Sequence, residues 1–112
     1  MTESIGTMIV TRVGSTIPLY LAEAETETYP YAVYEMTAEE YRTKDGVYKI
    51  TAEPRIRVYD KDFDVADAKA AAIRAALEIS SDQYIVWFRS QNKNCTDGVW
   101  EIELVYFVKQ VS

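Results

Sequence analysis

The chain has 112 residues, enough for one hydrophobic core and too few for two. Its 48% hydrophobic and 27% charged residues are ordinary for a globular domain, which argues against a disordered or membrane class. A net charge of −6 argues against a surface built to neutralise nucleic-acid phosphates, so no sequence-specific nucleic-acid partner is expected.

Ile5, Met8, Ile9 and Val13 fall on one stripe at helical spacing, which predicts a first helix from Thr2 to Arg12 opened by Thr2 or Ser4. Gly14 and Pro18 bracket its exit, and Leu19-Tyr20-Leu21 reads as a short extended piece. The segment from Ala22 to Tyr29 is polar, acidic and without period, a loop stopped by Pro30. From Glu23 to Tyr41 the chain carries six carboxylates and no basic residue. Two readings of this stretch fit: a solvated face that aids solubility, or a negative surface with a function.

Tyr31 to Met36 has the β-branched and aromatic content of a strand, extending irregularly to Thr43. Lys44-Asp45-Gly46 supplies a reversal, since Asp-Gly tolerates the positive φ values of tight hairpins. In the return strand Tyr48, Ile50, Ala52, Ile56 and Val58 alternate with polar residues, giving one apolar face. Pro54 also points inward there. It cannot donate to a ladder, so an edge or a bulge is expected at that position.

An Ala-rich helix follows, capped by Asp62 or Asp64, with Val65, Ala68, Ala72, Ile73, Ala76 and Leu77 as its expected buried face. Two more strands close the chain, Tyr84 to Arg89 and Val99 to Lys109, joined through a polar loop and an Asp97-Gly98 reversal. The expected fold is therefore α+β: a single domain, residues 1–112, with an antiparallel or mixed sheet of four to five strands and two helices on one face.

Catalytic chemistry finds little to work with. The sequence has no His, which removes the commonest general base and the commonest metal ligand. Cys95, the sole cysteine, sits in a polar loop without a His partner and cannot form an intrachain disulfide, which suits a reducing cytoplasm. The four glycines at 6, 14, 46 and 98 spell no phosphate-binding loop. Asp60, Asp62 and Asp64 have the alternate spacing that opens a calcium loop, but Val65 and Ala71 stand where the turn Gly and the bidentate Glu belong. No catalytic, metal or cofactor site is expected. Neither a signal peptide over Met1 to Arg12 nor an apolar run long enough to span a membrane is read.

The order of these pieces resembles a known family. An N-terminal helix, Ile17-Pro18-Leu19-Tyr20, an acidic loop, the strand opening Tyr29-Pro30-Tyr31-Ala32-Val33-Tyr34, a charged hairpin into Ile56-Arg57-Val58-Tyr59 and the Ala-rich helix over 64–78 are similar to the tail-completion or tail-terminator proteins of long-tailed bacteriophages. That resemblance implies a non-enzymatic structural protein of a phage or prophage, forming a homo-oligomeric ring, possibly a hexamer, that ends the tail tube and joins it to the head. Tail-tube and head-connector proteins would be its partners, and the virion tail its location after assembly in the host cytoplasm. Interfaces of the family lie on strand edges and loops, which makes Tyr29, Pro30, Tyr31, Lys44, Asp45 and Gly46 the candidates here. In a ring, Glu23, Glu25 and Glu27 are candidates to line the channel, where carboxylates would repel passing DNA. An unrelated oligomeric α+β binding module is the alternative.

If metal and thiol chemistry are dispensable, a chelator leaves the melting curve unchanged and Cys95→Ser melts like the parent. A chelator-sensitive transition would return attention to Asp60, Asp62 and Asp64.

Overall fold

The structure is a computed structural model, described here for residues 5–21, 29–42, 48–79, 81 and 84–111. Its elements are α1 (Ile5–Val13), β1 (Leu19–Leu21), β2 (Tyr31–Arg42), β3 (Tyr48–Asp60), α2 (Phe63–Leu77), β4 (Tyr84–Thr96) and β5 (Val99–Val111). The five strands form one sheet in the order β1-β2-β3-β5-β4. β1 runs parallel to β2 and every other pair is antiparallel, so the sheet is mixed. The fold is α+β, with both helices over one face.

Alternation along the two inner strands builds that face. Ala52, Ile56 and Val58 of β3 and Ile102, Leu104, Tyr106 and Val108 of β5 are all buried, as side chains two apart must be when one side of a sheet is covered. The stripe Ile5, Met8, Ile9 and Val13 on α1 is buried against the same core. At the exit of α1 a Cβ on Gly14 would lie 2.5 Å from the Val10 carbonyl oxygen, so only glycine fits the close turn that follows.

α2 is capped by Asp62, whose side chain accepts from the backbone amides of Asp64 and Val65; Asp64 lies inside the first turn. Its buried face differs from the expected one. Ala66, Ala70, Ile73 and Leu77 face the core, while Val65, Ala68 and Ala72 are exposed. The reason is that alanines surround the helix, so a stripe through 65, 68 and 72 is as apolar in sequence as one through 66, 70 and 73. Contacts decide between them. Arg12 of α1 donates to the carbonyls of Leu77 and Ile79, and Lys69 donates to the Thr16 carbonyl, fixing how α2 is turned.

β4 is also longer than expected. It continues past Arg89 through Ser90 to Thr96, pairing with β5 down to Thr96 and Val99, across a two-residue turn with Asp97 and Gly98 at positive φ. Cys95 therefore lies in a strand, opposite Trp100, and not in a loop; it is exposed. A register shift between Phe88 and Ser90 inserts one extra residue, Arg89.

Pro54 stands in an inner strand and not at an edge. It is buried and paired with Met36 on the β2 side, while the ladder to β5 is interrupted between Ala52–Val108 and Arg55–Val105. The register is the same on both sides of this gap, so the missing amide proton is accommodated by a local break without a bulge in β3.

Because Ala70 packs on the sheet and Ala72 does not, Ala70→Leu should cost about 1 to 3 kcal/mol through overpacking and Ala72→Leu should change stability by under about 0.5 kcal/mol. Thermal melts of the two variants check the assignment; equal losses would contradict it.

Candidate functional site

With the helices on one side, no helix among the described residues lies on the other face of the sheet, whose side chains form three groups along the strands. The first group is aromatic. Tyr31 at the start of β2 stacks on Tyr59 at the end of β3 with ring centroids 5.1 Å apart, and Tyr29 stacks on Tyr31 at 5.5 Å. Tyr20 of β1 meets Tyr31 edge-on at 6.3 Å, and the Lys61 ammonium lies 5.6 Å from the Tyr29 ring. Burial, with a hydrogen bond to Glu101, pushes the Tyr59 hydroxyl up to about 12.

The second group is ionic. Arg57 of β3 reaches Glu35 on β2 and Glu103 on β5, the latter at 3.0 Å, so one guanidinium ties three adjacent strands together. Both carboxylates hold the Arg57 proton more tightly, the bond to Glu35 most of all. At the third group, Arg89 on β4 donates to Glu53 on β3 at 2.7 Å across β5, and Trp87 packs on Phe107 at 5.4 Å. Trp87, Phe88, Arg89 and Phe107 line an open depression of about 490 Å³.

On the helix side, the chemistry is structural. Arg74 of α2 donates to Glu78 at 3.0 Å and to Gln91 at 3.3 Å, and lies 3.9 Å from the Phe88 ring. Lys93 bonds Asp67 at 2.8 Å. These contacts clamp α2 to β4. The Tyr106 hydroxyl donates to Glu78 at 3.4 Å in a buried setting, and its pKa is raised by that burial first and by the Glu78 charge second.

Of the expected interface residues, the described ones lie at the start of β2. Tyr29 and Pro30 precede β2, and Tyr31 opposes Tyr59 at its first rung. Lys44, Asp45 and Gly46 lie outside the described residues, but Arg42 and Tyr48, which flank them, pair at the last rung, about 35 Å away along the strands. Glu23, Glu25 and Glu27 are also outside the described residues. Among the described residues no group of three or more Cys, Asp or Glu could hold a metal ion. Asp60 and Asp62 act locally instead, Asp60 accepting from the Asp62 amide at 2.7 Å and Asp62 capping α2.

Sequence reading missed the Arg57 junction and the Trp87–Phe107–Arg89 group. The polar partners in β3, Arg55 and Arg57, were visible as an outward face. Which carboxylates met them depended on the order of strands.

No protein-family profile matches the chain, and no curated protein matches it. Among solved structures, it is similar to a chain in the virion of a native gene transfer agent particle, with 16% identity, a TM-score of 0.65, and coverage of 99% of this chain and 87% of that one. That likeness is one of fold.

Raised tyrosine pKa values make folding sensitive to alkali in one direction. Tyr59 and Tyr106 favour the neutral phenol in the folded state, so their contribution is complete below about pH 10, the unfolded value, and is withdrawn as pH rises through the folded values. Denaturant midpoints should fall above about pH 10, and Tyr59→Phe and Tyr106→Phe should each flatten that fall; an unchanged slope in both would show that neither hydroxyl is perturbed.

Proposed function

We propose that this chain is a structural component of a phage-type particle which ends the tail tube and joins it to the head as a homo-oligomeric ring. The observation that carries the reading is the fold shared over nearly the whole chain with a chain of a gene transfer agent virion. The order of motifs from Ile17-Pro18 to the Ala-rich helix supports it independently. So does the distribution of side chains: the sheet face away from the helices carries aromatic rings and ion pairs suited to contact with protein.

In this role the chain binds copies of itself, the tail tube and a head connector, and no cofactor takes part. Tyr29, Pro30 and Tyr31 supply one set of contacts, and Lys44, Asp45 and Gly46, between the paired residues Arg42 and Tyr48 in sequence, supply another. A subunit joining two different partners needs two such sets. Glu23, Glu25 and Glu27 line the channel and keep DNA phosphates from adhering.

Electron microscopy of particles made with the coding sequence interrupted tests the role. Tubes of uncontrolled length and heads without tails are expected; normal joined particles would refute it. Conversion of Glu23, Glu25 and Glu27 to Lys should give particles that package DNA and deliver it poorly, whereas normal infectivity would remove the channel lining and leave the ring.

A further inference from the structure

Around Phe107 the sheet face away from the helices is aromatic and cationic. Phe107 of β5 packs on Trp87 of β4 with ring centroids 5.4 Å apart, and the Arg89 guanidinium lies 6.0 Å from the Phe107 ring on its way to Glu53. With Phe88 these side chains line the open depression of about 490 Å³, large enough to seat a side chain of a partner. Trp87 and Phe88 are 46% and 37% exposed. Large rings exposed side by side mark an interaction surface in a way that scattered single side chains do not.

The bases beside these rings are not all paired. Glu35 lies opposite Arg55 in the β2–β3 ladder but bonds Arg57, and Glu53 bonds Arg89. Arg55 and Lys109 are left without a side-chain hydrogen bond or ion pair among the described residues. Arg55 stands beside Val105, and Lys109 lies four residues further along β5 with Phe107 midway, so the two bases bracket the ring over about 13 Å. Carboxylates that meet both must have the same separation. In an extended segment residues i and i+4 are about 13 Å apart and share one face with i+2, whose side chain then lies over Phe107 and Trp87.

We propose that this patch docks an extended segment of a different protein, in which two carboxylates four residues apart flank a central apolar side chain. The inference goes beyond the tail-joining reading and depends on neither the ring nor the channel. Charge selects the occupant, since carboxylates complement Arg55 and Lys109 and the apolar centre fills the depression. A second copy fits badly. Copies of a chain with net charge −6 repel one another. Five carboxylate pairs in this sequence have the required spacing, with Glu25, Thr37, Asp62, Ser80 and Val99 at their centres. Only Val99 is apolar, and Asp97 and Gly98 before it take positive φ in the β4–β5 turn, so that segment is not extended. Single-stranded nucleic acid also combines negative charge with groups that stack on rings, but the net charge of the chain opposes it.

Peptide titration tests the site. The probe is Gly-Glu-Thr-Leu-Thr-Glu-Gly, added to the isotope-labelled chain while the Trp87 indole resonance, assigned with Trp87→Phe, is followed. A saturable shift is expected, weakened by salt and absent when both Glu of the peptide are replaced by Lys or its Leu by Ser. Arg55→Glu combined with Lys109→Glu should weaken the acidic peptide about tenfold and make the Lys peptide the tighter ligand. The melting temperature should not change, because neither base is paired in the fold. No saturable shift with the acidic peptide, or one indifferent to the charge reversal, overturns the proposal. So does tighter binding of a thymidine oligonucleotide than of the peptide, or a Trp87 shift that follows the concentration of the chain alone and so marks a second copy in the patch. Particle morphology reads the tail-joining role separately, so the failure of one leaves the other standing.

Discussion

The rest of the structure depends on one constraint: β3 and β5 alternate strictly between an apolar and a polar side. Ile56, Val58, Ile102, Leu104, Tyr106 and Val108 are all fully buried, and each lies two residues from the next in its strand. A slip of one residue in either strand would turn this set outward and place Arg57 and Glu103 in the core. The register is held from the far side as well, where Arg57 can reach Glu35 and Glu103 together only when the three strands are aligned as they are. Burial on one face and ion pairing on the other thus select the same alignment.

The middle of the sheet shows how that alignment tolerates defects. Pro54 removes one donor from β3, and the ladder to β5 is broken beside it. One strand further on, β4 takes in Arg89 as an extra residue opposite the same region of β5. Arg89 then crosses β5 to bond Glu53, the neighbour of Pro54, so the two irregularities are tied by one ion pair. The pair is exposed at both ends and adds little to stability, on the order of 0 to 1 kcal/mol. Its consequence is geometric: past the bulge, β4 presents polar residues, and α2 is joined to it by Arg74 donating to Gln91 and by Asp67 accepting from Lys93.

One-sided covering separates the two faces of the sheet by composition. Helices α1 and α2 use up the apolar face. The outer face carries tyrosines at one end and the Trp87 group at the other. Aromatic rings and ion pairs on that face are the kind of side chains that protein interfaces use.

Local chemistry in the sequence was sufficient for the elements themselves. Helical spacing from Ile5 to Val13, period-two alternation from Tyr48 to Val58 and from Trp100 to Val108, the Asp62 cap and the Asp97-Gly98 turn each act over a few residues, and each appears as expected. Elements whose boundaries depend on a distant partner were not legible. The polar run Ser90 to Thr96 has no strand signal of its own and is extended because β5 lies beside it. The buried side of α2 could not be chosen among seven alanines between 66 and 76; α1, through Arg12, and the Thr16 carbonyl chose it. Pro54 announced an irregularity, and only the strand order decided that it would be a gap inside the sheet. The sequence by itself determined which segments fold and which faces are apolar, because those follow from neighbours along the chain. Tertiary structure alone decided the strand order, and with it which charged side chains meet across the sheet, because strands far apart in sequence become neighbours only once the chain has folded.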